Sequence, residues 1–408
     1  MGAARKKGLE RRDFLQHGLI GLAALLARPM VGCSSDSGDD ADNGGTGGTP
    51  KLRSRFAEIG PLGDADENGV KLPAGFTSRV VARASQKPLE TAAYNWHVFP
   101  DGGATFATDD GGWVYVSNSE LPLGAGGVGA LRFDKDGTLV GAYPILQGSS
   151  GNCAGGKTPY NTWLSCEEVD NGKVFECDPF GNEPAVERPA LGIFKHEAAC
   201  YDPSNHHLYL SEDQSDGRFY RFVPDALAPN GFADLSAGRL EVAQVGADES
   251  VVWLPVPDPQ FSGTTPTRLQ VAESTAFRGG EGLFHHDGVI YLSTKGDNRI
   301  WAYDIAAQTM RVLYDPTTSA TPILSGVDNV TGSCCGDILV AEDGGDMQIV
   351  ALLPDGTLKP VMQIPSHTGS EVTGPAFDPS GTRLYFSSQR GDGGGITYEV
   401  SGPFHGPA

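Results

Sequence analysis

The chain has 408 residues, and its 56 glycines and 28 prolines indicate many turns. A formal net charge of −21 makes nucleic acid a poor partner and favours cations or a self-repelling, soluble surface. Charged residues make up 20% of the chain, which excludes a disordered polyelectrolyte. A body of roughly 350 residues is long for a single ordinary core but suits an architecture built by repetition.

Residues 1–33 have the features of an export signal. Arg11 and Arg12 form a twin-arginine pattern, and a short, glycine-containing apolar stretch follows them. Cys33 lies in a lipoprotein-like cleavage box, so we expect membrane contact only through a lipid on this residue. Residues 34–55 are predicted to be a flexible tether, and residues 56–408 a folded domain. The sequence thus predicts export by the twin-arginine route to the periplasm or cell envelope.

From about Phe76 onward one theme repeats: an apolar strand ending in a polar residue, a turn, and a second strand with an aromatic residue. We interpret the first strand of each pair as the inner strand of a propeller blade. The spacing is about 40 to 50 residues, which matches one four-stranded blade, and about six units are found. Thr77–Ala82 would complete the last blade. The predicted fold is an all-β, six-bladed β-propeller, and a large sandwich is the alternative.

Six cysteines follow Cys33 in the chain. In an oxidising compartment they permit disulfides without determining them. Cys166 and Cys177 flank a predicted hairpin and are candidates for pairing. Cys334 and Cys335 are adjacent, so we expect buried thiols or longer-range pairing there. The chain has no CxxC spacing, which argues against a structural zinc site.

Acidic residues at strand ends are the candidate metal ligands. The stretch GNCAGGKTPYNTWLSCEE combines the thiol of Cys153 with Glu167 and Glu168, and buried acids require nearby positive charge. Carboxylates suit calcium, and a thiolate suits iron. The further acids at strand ends are Glu197, Glu212, Glu281 and Glu342.

The motifs NCAGG, TWLSCEE, KHEA and YLSEDQSDGRFYRF resemble the PhoX family of secreted alkaline phosphatases. The resemblance implies a six-bladed propeller that hydrolyses phosphomonoesters with iron and calcium. It implies that Cys153 bridges two irons, that Glu168 and Glu281 are ligands, and that either Glu197 or Glu212 is another. Asn118 and Glu120 occupy the positions of a family Asn-His-Glu motif whose middle residue is here Ser119.

Phosphoryl transfer also requires a protein cation, and the candidates are Lys295, Arg278 and Arg390. The family has an arginine immediately before the Gly280-Glu281 position, where this chain has Gly279. We expect this difference to affect phosphatase activity more than the fold or the binding of metal ions. The expected substrate is a small phosphoester, and the expected state is a monomer.

Two other functions remain open on the sequence. Glu281-Gly-Leu-Phe and Asp328-Asn329 resemble motifs of calcium-dependent gluconolactonase-type propellers, which do not require Cys153. The third hypothesis is a non-catalytic propeller in which ions brace the channel and one face binds a partner.

Overall fold

The structure is a computed structural model that describes residues 52–408. The predicted leader, Cys33 and most of the tether lie outside the described residues. Leu52–Ser54 is already a strand and pairs with His405–Pro407, so the folded body includes residues assigned above to the tether. Within residues 52–408, no helix is long and apolar enough to cross a membrane.

Six antiparallel sheets form the blades of a β-propeller, numbered here in chain order of their innermost strands. Blade 1 contains Pro100–Ala107, Trp113–Ser119, Gly126–Phe133 and Leu139–Ser149. Blade 2 contains Asn152–Lys157, Trp163–Glu167, Val174–Cys177 and Val186–Glu187. Blade 3 contains His196–Tyr201, Leu208–Glu212, Phe219–Pro224, Gly238–Val245 and Val251–Pro255. Blade 4 contains Gly280–His286, Val289–Thr294, Arg299–Asp304 and Thr309–Tyr314.

The last two blades incorporate the N-terminal part of the described chain. Blade 5 contains Val327–Gly332, Ile338–Glu342, Gln348–Leu352 and Leu358–Gln363, extended by Lys71–Pro73 and Leu62–Ala65. Blade 6 contains Val372–Phe377, Arg383–Ser388 and Ile396–Ser401, and Thr77–Arg83 is its outer strand. The part of the chain that the structure describes also has four short 3₁₀ helices, Phe56–Glu58, Pro189–Leu191, Thr267–Leu269 and Gly391–Gly393.

The six-bladed propeller predicted from the repeats is confirmed, and the segment at Thr77 closes the last blade as expected. The assignment of the inner strand is wrong, because the strand predicted to be innermost is the second strand of its blade. The regular apolar strands, such as Trp113–Ser119 and Leu208–Glu212, are the second strands of their blades. The innermost strands are at least as long as the second strands, but each contains glycine or alanine, so their apolar periodicity is weak.

Close packing at the hub explains this composition. A Cβ added at Gly156 would lie 1.8 Å from the carbonyl oxygen of Ala199, and one at Gly282 would lie 2.2 Å from the backbone nitrogen of Val330. Neighbouring innermost strands therefore approach at distances that only glycine permits.

Cys166 and Cys177 do not form the disulfide considered above. Cys166 is opposite Val174 in the hairpin, and Cys177 is opposite Trp163. Each thiol is buried in a different apolar cluster, which fixes them as core side chains. Cys153 and Cys200 are also free thiols.

Candidate metal centre

Side chains that can bind metal ions surround one mouth of the central channel. They form four overlapping groups, and within each group the potential ligand atoms lie within 4.8 Å of one another. The groups are Glu120–Cys153–Glu168, Asp101–Glu120–Glu371, Asp328–Asp343–Glu371 and Glu197–Glu281–Asp328. We call the eight carboxylates and one thiol of these groups the hub ring.

The innermost strands position one ring residue each. In the first five blades the ring residue lies just inside the start of the strand, at a β-bulge where two residues face one on the second strand. Such a bulge changes the direction of a side chain, because it interrupts the regular alternation of side chains between the two faces of the sheet. In blade 6, Glu371 directly precedes the strand Val372–Phe377. The six residues are Asp101, Cys153, Glu197, Glu281, Asp328 and Glu371.

The second strands supply the other ring members from their far ends. Glu120, Glu168 and Asp343 each follow directly after a second strand, in blades 1, 2 and 5. Because paired antiparallel strands run in opposite directions, the end of the second strand lies beside the start of the first. This topology brings residues distant in sequence to the same mouth.

Small polar side chains of the neighbouring blade hold the bulges of blades 2, 4 and 5. Asn118 Nδ2 donates to the carbonyl oxygens of Cys153 at 2.9 Å and Ala154 at 2.7 Å. Ser211 Oγ donates to the carbonyl oxygen of Glu281 at 2.5 Å, and Ser293 Oγ does the same to that of Asp328. These residues satisfy the backbone groups that the bulges leave without strand partners.

Burial and mutual repulsion make the ring electrostatically unfavourable by itself. Both effects raise the pKa of Asp101, Glu197 and Glu281 well above its ordinary range. Burial, followed by repulsion from Asp101, Asp328 and Asp343, raises the pKa of Glu371 to about 10. Burial also raises the pKa of the Cys153 thiol, which donates to Asp101 Oδ2 at 3.7 Å.

Glu197 carries the clearest sign of a missing partner. Its side chain is fully buried, and neither carboxylate oxygen has a hydrogen-bond partner among the described residues. A buried carboxylate without compensation costs several kcal/mol, by order of magnitude. The donor set and these orphaned oxygens therefore fit bound cations.

Three basic side chains pair with ring members at the mouth. Lys295 Nζ lies 3.0 Å from Glu281 Oε1, 3.3 Å from Asp343 Oδ2 and 3.8 Å from Asp328 Oδ2. Arg390 Nη1 lies 2.7 Å from Glu371 Oε1, and Lys195 Nζ lies 2.9 Å from Glu168 Oε1. Three cations cannot neutralise eight carboxylates when all are ionised.

Two predicted ligands have other partners. Glu212 accepts hydrogen bonds from Tyr220 Oη at 2.8 Å and from the backbone nitrogen of Arg218 at 3.2 Å. Glu342 accepts from the backbone nitrogens of Ser325 at 2.9 Å and Gln348 at 3.1 Å. Both carboxylates cap turns outside the ring, so between Glu197 and Glu212 it is Glu197 that faces the channel.

Asn118 and Arg278 also differ from the expectation. Asn118 Oδ1 accepts from Trp163 Nε1 and Ser165 Oγ, so its amide positions Cys153 and leaves no oxygen directed at an ion.

Arg278 is exposed, whereas Lys295 and Arg390 both lie at the ring. Gly279 has a φ of +66°, and a Cβ there would lie 3.2 Å from Asp213 Oδ1 and 3.8 Å from Glu281 Oε1.

Asp101 and Glu371 are ring members that the sequence argument missed. Their signal is an acid at or directly before the start of a glycine-containing strand: Asp101 is the second residue of Pro100–Ala107, and Glu371 directly precedes Val372–Phe377. The same arrangement holds Cys153 and Glu281. The search for acids at the ends of regular strands passed over these positions.

The channel widens on the other side of the ring into a cavity of about 450 Å³. Its lining comes from the later residues of the six innermost strands and contains many small side chains, such as Gly155, Ala198 and Gly374. No carboxylate belongs to this lining. The carboxylates of the hub ring therefore lie at one mouth of the channel.

A comparison with protein families identifies one family that this chain resembles. Residues 117–292 match the family model for alkaline phosphatase PhoX. This segment contains Cys153, Glu168, Glu197 and Glu281. A search of curated proteins found no match.

One solved structure shares the overall fold of this chain, and two others are more distantly similar. A Pseudomonas fluorescens PhoX, solved in complex with the transition-state analogue vanadate, is 17% identical, with a TM-score of 0.68 over 84% of this chain and 97% of that one. A Bacteroides thetaiotaomicron protein of unknown function is 11% identical, with a TM-score of 0.50 over 80% and 76%. A Xanthomonas campestris gluconolactonase is 18% identical over 85% and 98%, with a TM-score of only 0.45. The resemblance of this chain to the PhoX family, indicated by its sequence motifs, is thus confirmed.

Proposed function

We propose that this chain is a metal-dependent phosphomonoesterase of the PhoX type and that the hub ring binds its metal ions. The observation that carries the proposal is the buried ring itself, in which eight carboxylates and a thiol face one another. The two carboxylate oxygens of Glu197 have no hydrogen-bond partner within residues 52–408. Cations relieve both the repulsion and the lost hydration of these groups.

The ring offers chemically different sites. The Glu120–Cys153–Glu168 group contains sulfur and suits iron, because a thiolate is a soft ligand. The Glu197–Glu281–Asp328 group contains only oxygen ligands and suits calcium. Bound ions would supply neutralisation of phosphoryl oxygens and activation of an attacking oxygen.

The chain's own contribution is a pair of cationic side chains, Lys295 and Arg390, that would orient the substrate at the mouth of the channel. The side chains of Lys295 and Arg390 are 33% and 44% exposed, while Glu281 and Glu371 beneath them are buried. A phosphate monoester entering from solvent would meet these cations first. Ion binding would release both side chains from part of their carboxylate contacts, which leaves them free to bind phosphoryl oxygens.

A calcium-dependent lactonase is the second candidate, since Glu281 and Asp328 of the lactonase-like motifs share one group. Cys153 distinguishes the two functions, because a single calcium bound by oxygen ligands needs no thiol. A non-catalytic, ion-braced propeller would bind metal and hydrolyse neither substrate.

The test uses hydrolysis of p-nitrophenyl phosphate by the purified chain supplied with iron and calcium, alongside opening of gluconolactone. We expect phosphate release that requires metal and falls at least 100-fold in Glu281→Gln, since a ligand is lost. Glu342→Gln is the matched control because Glu342 lies outside the ring, and it should retain activity. Lactone opening without phosphate release would overturn the phosphatase assignment. If the metal-loaded protein showed neither activity, the result would indicate the non-catalytic alternative.

The proposal also includes export of the chain to the cell envelope. The twin-arginine signal in residues 1–33 and a lipid on Cys33 would hold a monomeric propeller at the cell envelope through the tether. Export in the folded state suits a protein whose hub needs its ions for stability.

A further inference from the structure

A second group of metal-binding side chains lies where the two ends of the folded chain meet. Cys334 and Cys335 belong to the turn after the innermost strand of blade 5, at the opposite end of that strand from Asp328. His405 begins the C-terminal strand, which pairs with Leu52–Ser54. Three elements distant in sequence therefore meet at this point, outside the hub ring.

The sulfur atoms have the separation of two ligands of one ion. Cys334 Sγ and Cys335 Sγ lie 3.6 Å apart, and both lie within 4.8 Å of a ring nitrogen of His405. A disulfide requires about 2.05 Å between the sulfur atoms. Two thiolates on a tetrahedral zinc, with Zn–S bonds of about 2.3 Å, lie about 3.8 Å apart. The observed distance is close to the second value.

The hydrogen bonding of His405 leaves one ring nitrogen available to a metal ion. Its Nδ1 lies 2.8 Å from the carbonyl oxygen of Gly381, which can only accept, so Nδ1 carries the proton. The lone pair is consequently on Nε2. The residue is only 8% exposed, and Nε2 is buried with no hydrogen-bond partner among residues 52–408. Metal-binding histidines typically use one nitrogen for the ion and donate the other N–H to such a carbonyl.

Aromatic packing fixes the imidazole in this orientation. The ring of Phe56 contacts it edge to face at a centroid distance of 5.9 Å, and Phe377 does so at 5.2 Å. Cys335 Sγ lies 3.4 Å from the carbonyl oxygen of Leu52, and Ser54 Oγ donates to Asp337 Oδ1 at 2.6 Å. The turn, the first described strand and the last strand are thereby held together before any ion is considered.

We propose that Cys334, Cys335 and His405 bind one zinc ion through two thiolates and an imidazole. Both thiols lose their protons on binding, so Cys335 exchanges its hydrogen bond to the Leu52 carbonyl oxygen for a bond to the metal. The two negative sulfur atoms balance the charge of Zn²⁺. Cys334 is exposed, so the fourth position is open to water or an added ligand. The ion would clamp the N-terminal strand, which directly follows the tether, to blade 5 and the C-terminus.

Cobalt(II), which reports thiolate ligation by its charge-transfer absorption, is the probe for this site. The reduced full chain is titrated with Co²⁺ and then with Zn²⁺ as competitor. We expect thiolate-to-cobalt absorption at one equivalent, displaced by zinc, that persists in Cys153→Ser and disappears in the double variant Cys334→Ser/Cys335→Ser. His405→Gln should weaken binding at least tenfold. Cys334→Ser alone changes an exposed side chain and should keep the fold, shown by circular dichroism, while losing the absorption.

Two results would overturn the proposal. One is absence of the absorption from the reduced wild-type chain, whether or not the isolated protein contains a disulfide between Cys334 and Cys335. The other is absorption that is lost in Cys153→Ser and kept in the double variant, because the cobalt would then be in the hub. Phosphatase activity does not enter the readout, so failure of this proposal is distinct from failure of the proposed function.

Discussion

The hub ring and the Cys334–Cys335–His405 cluster bring together opposite ligand chemistries. The ring has eight carboxylates and one thiol at a channel mouth, whereas the cluster has two thiols and an imidazole at the chain closure. Oxygen-rich sites suit hard cations, and a site of sulfur and nitrogen suits zinc. One chain can thus separate hard from soft ions by where its elements place their ligands.

The two sites also differ in how the fold builds them. The ring repeats one arrangement, in which a ring residue lies beside the start of each innermost strand. In five of the six blades this residue is part of a β-bulge. The cluster has no such repeat, since it joins a turn of blade 5 to the last strand of the chain. Changes to the shared arrangement should therefore affect metal binding, activity and stability together, while changes to the cluster should affect only its own ion.

The largest expected effect comes from removing the ring thiol. Cys153→Ser replaces the one sulfur ligand of the hub, so we expect loss of visible iron absorption and a fall of at least 100-fold in kcat/KM for p-nitrophenyl phosphate. Cys334→Ser is the matched control and should leave both unchanged. Equal losses in the two variants would show that the sites are not independent.

The next effect concerns the close approach of innermost strands. Gly282→Ala places a methyl group 2.2 Å from the backbone nitrogen of Val330, so strands of blades 4 and 5 must separate. We expect the free energy of unfolding to fall by about 2–3 kcal/mol, as in overpacked cores. Gly60→Ala, where no atom lies within 4 Å of the added Cβ, is the control. Urea denaturation measures both, and equal stability would contradict the packing argument.

A smaller effect is the pH dependence of the metal-free protein. The pKa of Asp328 is raised to about 6, that of Glu168 to about 7 and that of Glu371 to about 10, above unfolded values of about 4. The folded state therefore binds more protons than the unfolded state, and its stability falls as pH rises from about 4 towards 10. With chelator present, Tm should decrease across this range, and added calcium should reduce the decrease.

A ring variant serves as the control for that profile. Glu371→Gln removes the group whose pKa is raised to about 10, so the loss of stability at alkaline pH should become smaller. A metal-free Tm that is independent of pH, or one that rises towards pH 10, would contradict the repulsion assigned to the ring.

The sequence by itself determined the repeated architecture and part of the metal site. The regular second strands and the closing strand at Thr77 were readable from local periodicity. Cys153, Glu168 and Glu281 were predicted as ligands from the resemblance to the PhoX family, and the structure places all three in the hub ring. The innermost strands were not readable as strands, because glycine, alanine and polar residues interrupt their apolar periodicity.

Only the tertiary structure decided which acids face the channel. Glu197 and Glu212 both lie in blade 3 at motif-like positions, but the bulge after His196 turns Glu197 towards the hub, while Glu212 binds Tyr220. Asp101 and Glu371 joined the ring, and Cys334, Cys335 and His405 met, through contacts between residues up to hundreds of positions apart. Sequence patterns describe neighbours along the chain, whereas ligand sets depend on closure of the ring of blades.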